Sequence, residues 1–144
     1  MGLIEGRAID NGVVDEPRLE CYENGLRLSF STEKPFTGRV FAKGLADNPR
    51  CSFDFTHSTH TRDISLTFES AECAMERQRR PGDNGGIVNT LSILVMFHGT
   101  FITKVDRTYK CICFFRRQAR VTNILEVSSS LFHLIMFNVC SHFH

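Results

Sequence analysis

The stretch from Ile87 to Phe115 constrains the fold of this chain more than any other. It is the most apolar long segment, and Pro81-Gly82-Asp83-Asn84-Gly85-Gly86 sets a turn immediately before it. Ile87, Leu91, Ile93, Val95 and Phe97 recur at the two-residue period of a strand, with Asn89 interrupting that face. The opposite face begins with Thr90 and Ser92 and ends with Leu94 and Met96. This spacing predicts a long strand, half-buried at first and buried on both faces at its end. A second run, Tyr109 to Phe115, places Tyr109, Cys111, Cys113 and Phe115 on one face. Two neighbouring strands, the second carrying cysteines near its far end, fit the middle of a sandwich closed by a disulfide.

The rest of the chain repeats the pattern on a shorter scale. Residues 1–17 are polar and read as a loose N-terminal tail ending at Pro17. Arg18 to Tyr22 is a short strand carrying Cys21, and Asn24-Gly25 is a hairpin signal. Leu26, Leu28 and Phe30 then alternate with Arg27, Ser29 and Ser31, until Lys34-Pro35 breaks the run. Gly38 to Lys43 is a third strand, Asp47-Asn48-Pro49 a turn, and Cys51, Phe53 and Phe55 open another alternation. Ile64, Leu66 and Phe68 form one more, after the polar residues His57 to Thr61. Residues 74–86 are the longest polar connection, with room for a short helical turn over Ala74 to Arg79. No segment before residue 118 carries a helical period of useful length. Short strands separated by turns about every ten residues predict an all-β sandwich.

After Phe115 the character changes. Arg116, Arg117 and Arg120 make a basic edge, and Leu131 to Val139 is strongly apolar apart from His133. That run is far shorter than the ~20 residues a membrane-spanning helix needs. Three readings of it stand side by side: an extra strand, a short core helix, and a tail with no packing partner.

A chain of 144 residues is one domain with room for a core. The net charge of +1 gives no general attraction to nucleic acid or to an anionic membrane. Thirteen Phe and no Trp make the core aromatic without the Trp that packs on the bridge of antibody-type domains. Six cysteines are an even number, as in a disulfide framework, but spacing alone does not give the pairing. Cys111 and Cys113 share a strand face, so either fits opposite Cys21, and Tyr109-Lys110-Cys111 even mimics the Tyr-x-Cys of an antibody-type corner. Buried, inert free thiols are the competing reading.

No catalytic signature is present. There is no nucleophile elbow, HExxH or phosphate loop, and the glycines around Asp83 lack a following Lys. Glu69 and Glu72 read as loop charges. His57-x-x-His60, Cys111-x-Cys113 and Cys140-x-His142-x-His144 lack the order of a zinc finger, so neither metal nor cofactor is expected. Arg77-Gln78-Arg79-Arg80 looks like a dibasic processing site that Pro81 blocks, and otherwise like a solvated loop.

Four blocks carry a resemblance to a known family. They are Ile9-Asp10-Asn11-Gly12-Val13, Leu19-Glu20-Cys21, Pro35-Phe36-Thr37-Gly38-Arg39-Val40-Phe41-Ala42-Lys43-Gly44, and the run from Phe97 through Tyr109 closed by Cys113-Phe114-Phe115. Over about residues 9–117 the chain resembles the N-terminal half, ZP-N, of the zona pellucida (ZP) module, in its nematode cuticlin-like form. The resemblance implies an immunoglobulin-like β-sandwich stapled by disulfides over residues 18–117, with residues 118–144 a C-terminal tail outside the family pattern. It pairs Cys21 with Cys113 and Cys51 with Cys73, leaves Cys111 and Cys140 over, and puts the family's tyrosine at Tyr109.

The function implied is a non-enzymatic polymerisation module of the extracellular matrix, a cuticle component. Its partners would be other ZP-module proteins, homotypic or heterotypic, with no nucleic acid and no small-molecule substrate. The alternative is a secreted, immunoglobulin-like recognition or receptor-type domain that binds a partner without polymerising. A full-length family precursor carries a signal peptide, a ZP-C half and a membrane anchor. Residues 1–10 show no apolar signal core, which taken alone would leave the thiols in a reducing compartment. For the contact itself, an exposed sheet edge at the Tyr109 strand or the Ile87 strand is the expected place, with both strands being interior as the alternative.

Overall fold

The structure, a computed structural model, describes residues 9–82, 85–119 and 132–143. The elements are β1 (Val13–Tyr22), β2 (Gly25–Thr32), β3 (Arg39–Ala42), β4 (Ser52–Asp54), β5 (Asp63–Glu69), β6 (Glu76–Arg80), β7 (Gly86–Met96), β8 (Arg107–Ala119) and β9 (Phe132–Phe143). They form a three-stranded sheet in the order β1-β2-β5 and a six-stranded sheet in the order β4-β3-β7-β8-β9, with β6 also paired to β7. All pairings are antiparallel. The two sheets share one core, so the fold is an all-β, disulfide-stapled, immunoglobulin-like sandwich.

Alternation builds the inner faces. Leu26, Leu28 and Phe30 of β2 and Ile64, Leu66 and Phe68 of β5 are buried, while Asp63, Ser65, Thr67 and Glu69 face out. On the outer face the two strands are laced by Ser29–Ser65 (3.0 Å) and Ser31–Asp63 (2.6 Å). In the second sheet Leu91, Ile93 and Val95 of β7 and Tyr109, Cys111, Cys113 and Phe115 of β8 point inward. Phe36, fully buried between β2 and β3, is the hub of the core. Its ring meets Phe30, Phe55 and Phe97 edge-on, at centroid distances of 5.9, 5.5 and 5.1 Å, the arrangement that ring quadrupoles favour.

Gly25 is explained by packing. Tyr22 pairs with Gly25, so the tight turn is Glu23-Asn24, one residue earlier than the Asn-Gly signal indicates. A Cβ at Gly25 would lie 2.3 Å from the Phe68 carbonyl oxygen, so glycine lets β5 approach.

Several expectations are corrected. β1 starts at Val13, inside the segment read as a tail, and its pairing with β2 shifts register between Val14 and Arg18. Asp15 there has a φ of 61°, in the left-handed region, and Pro17 has no N–H to donate, so the strand bulges and resumes. The polar connection holds β6, Glu76–Arg80, and Ala74 to Arg79 is not a helical turn. All five β6 residues are exposed, so no apolar alternation marks the strand, and its ladder to β7 holds it in place. The far end of β7 is not buried on both faces: Leu94 and Met96 stay half-exposed. Asn89, which interrupts the apolar face, is itself buried opposite Cys113.

Of the three readings of the apolar run near the C-terminus, the structure takes the extra strand. β9 lies along β8, from Thr108 opposite Phe143 to Ala119 opposite Phe132. This moves the expected binding edge. Lys110 has Ser92 on one side and Ser141 on the other, and β7 lies between β8 and the pair β3 and β6. Both candidate edge strands are therefore interior, because β9 covers the side of β8 away from β7.

Candidate functional site

Three cysteine pairs frame the sandwich. Cys21 of β1 is joined to Cys113 of β8 across the two sheets, with a Cα separation of 5.8 Å, and Cys51 to Cys73 at 5.5 Å. Both separations lie in the usual range for a disulfide. The third pair, Cys111 with Cys140, links β8 to β9 at directly opposed positions, with Cα atoms 4.1 Å apart. These are the two cysteines that the family pairing leaves over. The signal that finds them is strand register: once residues 132–143 pair antiparallel to β8, Cys140 falls opposite Cys111. Among the described residues no three His, Cys, Asp or Glu side chains gather into a metal site.

Tyr109 lies at the start of β8, 4 % exposed, beside a cleft of about 200 Å³. The cleft is lined by Val13, Asp15, Glu16 and Pro17 from the β1 bulge, by Arg107 and Tyr109, and by Cys140 of β9. Burial raises the phenol's pKa above its ordinary value of 10.0; Arg107 opposes the shift and Glu16 adds to it. The fold thus favours the neutral phenol. Its contribution to stability is complete below pH 10 and is lost as pH rises from there through the raised folded value. In a Tyr22→Phe chain Tyr109 is the remaining tyrosine. Its ultraviolet titration is expected to show a midpoint above 10, falling back to about 10 in denaturant.

The connection between β7 and β8 is built from short-range polar contacts. Asp106 Oδ1 accepts the Phe97 N–H at 2.7 Å and the Thr103 hydroxyl at 2.7 Å, and Asp106 Oδ2 accepts the Thr103 N–H at 2.8 Å. His98 Nδ1 accepts the N–H groups of Thr100 at 3.1 Å and Phe101 at 3.3 Å. The His98 ring lies 4.4 Å from that of Phe101, centroid to centroid. These contacts hold out a tip on which Phe101 is 41 % and Ile102 80 % exposed, with Lys104 also exposed. In the sequence this block carries the family resemblance and no site. Its apolar tip shows only when the strand ends on either side are fixed.

The model of the cuticlin N-terminal domain family matches residues 15–115. The chain belongs to that family. It is 36 % identical over 121 residues to Cuticlin-1 of Caenorhabditis elegans, covering 83 % of this chain and 28 % of that protein. To Cuticlin-3 of the same organism it is 35 % identical over 121 residues, covering 83 % and 30 %. To Cuticlin-4 it is 32 % identical over 123 residues, covering 85 % and 23 %. The chain thus spans less than a third of the length of these curated relatives. No solved structure matches it. The span matched by the cuticlin domain takes in Cys21, Cys51, Cys73 and Cys113, the Phe36 cluster and the loop before Tyr109. It stops before β9, which lies beyond it.

Proposed function

We propose that this cuticlin-type chain is a structural, non-enzymatic module of an extracellular cuticle matrix. In this reading it assembles with other ZP-module proteins, homotypically or heterotypically. The observation that carries the reading is the match over residues 15–115, which contains the inter-sheet pair Cys21 and Cys113 and the pair Cys51 and Cys73. Those pairings, formed in an oxidising extracellular setting, are part of the proposal. Residues 18–117 are the family module in this reading, with β9 an addition to its sheet. Tyr109 acts in assembly by shaping the cleft beside it.

The test is sedimentation of the disulfide-bonded chain at rising concentration. Species larger than the monomer are expected to accumulate into the high micromolar range. They should persist in moderate salt, because a chain with a net charge of +1 gains little from long-range electrostatic attraction. A chain that stays strictly monomeric would favour the alternative, a secreted recognition domain that binds without polymerising.

A further inference from the structure

We propose that the tip of the loop between β7 and β8 is a knob that docks into the cleft beside Tyr109 on a second copy of the chain. The inference rests on the assembly reading and names its contact. Exposed single apolar residues are ordinary on a protein surface. Here two lie side by side, Phe101 and Ile102, on a loop that Asp106 and His98 hold in one shape. A loop ordered before docking loses little freedom on binding, so its contact area is used fully.

The cleft fits such a knob in size and in charge. Its volume of about 200 Å³ is below the ~300–1,000 Å³ of small-molecule sites and suits an inserted side chain. Val13, Pro17 and Tyr109 give it apolar walls, and its charged lining sets two exposed carboxylates, Asp15 and Glu16, against one cation, Arg107, an acidic balance. Next to the knob stands the exposed Lys104. Lys104, Asp15 and Glu16 enter no salt bridge among the described residues, so all three are available to a second molecule. In the docked pair Ile102 enters the cleft, Phe101 covers its mouth, and Lys104 meets the acidic lining. Knob and cleft are different surfaces, so two copies either exchange both contacts in a closed pair or leave one knob and one cleft for further molecules.

The experiment is sedimentation equilibrium on the full disulfide-bonded chain and three exposed-site variants. Ile102→Ser is expected to weaken self-association at least tenfold, with an unchanged far-ultraviolet spectrum. Lys104→Glu and Glu16→Lys should each weaken it severalfold. An equimolar mixture of those two variants should associate again to within about threefold of the parent chain, since opposite charges meet in either direction, as a reversed pair in one and as the parent pair in the other. This rescue separates a docking defect from a folding defect. If the parent associates and Ile102→Ser associates equally well, or the mixture is no stronger than its components, the contact is overturned while the assembly reading stands. A parent chain that stays monomeric overturns the contact together with the homotypic form of the assembly reading.

Discussion

Replacing Cys21 and Cys113 together by alanine is expected to lower stability by about 4–5 kcal/mol in the chain-entropy account of cross-linking. The bridge spans a sequence separation of 92 residues, and closing so long a loop removes much of the freedom of the unfolded chain. Cys51 and Cys73 are separated by 22 residues, which gives about 3 kcal/mol. Against a total of ~5–15 kcal/mol for a domain, loss of the longer bridge removes from about a quarter to nearly all of the stability. Urea unfolding of the two double variants checks the order: Cys21→Ala with Cys113→Ala should have the lower midpoint. Equal midpoints would show that native-state strain or residual unfolded structure outweighs loop length here. Both Cys21 and Cys113 are buried, so lost packing adds to the effect of the lost cross-link.

Phe36→Ala is expected to cost a further large amount, about 3–5 kcal/mol. Phe36 is fully buried, and three other phenylalanines set their rings against it. Truncation leaves a cavity that Phe30 of β2, Phe97 past the end of β7 and Phe55 past β4 cannot all move to fill, since each is tied to a different backbone segment. Phe36→Leu keeps most of the volume and loses the edge-on ring contacts, so its loss should be clearly smaller. Thermal unfolding of the two variants side by side separates cavity from ring geometry. A loss for alanine no greater than that for leucine would mean the site collapses freely and is not the hub described above.

The parts of the fold legible in the sequence are those where one face of a strand is wet and the other dry. β2 and β5 show the period in full, because their outward residues, Arg27, Ser29, Asp63, Ser65 and Thr67, are polar. β6 is invisible because its five residues are all exposed and its place depends on a ladder to β7. Leu94 and Met96 mislead in the other direction, being apolar side chains on the outer face of β7. The candidate site divides in the same way. Cysteine order within a familiar context gives Cys21, Cys51, Cys73 and Cys113, whereas the link between Cys111 and Cys140 depends on a strand register that spacing does not carry. The knob and the cleft belong to tertiary structure. Ile102 looks like any apolar residue in a run, and the β1 bulge that walls the cleft is hinted at only by Pro17.

The sheet order has a consequence for how the molecule is made. β7 pairs with β3 and β6, which precede it, and with β8, which follows it. On a chain emerging from the ribosome amino end first, β3 and β4 wait with an open edge until β7 arrives. Cys21 waits longer still, through the 92 residues that separate it from Cys113. At ~5–20 residues per second that interval is roughly 5–20 seconds. Cys51, Cys73 and Cys111 appear within it, so in an oxidising compartment four thiols are present before the partner of the first has been synthesised. Early wrong pairings of Cys21 are thus built into the order of synthesis, and they are undone by thiol–disulfide exchange on a timescale of seconds to hours. In an oxidising compartment the yield of native molecules therefore depends on how fast bridges are reshuffled as well as on the stability of the finished sandwich.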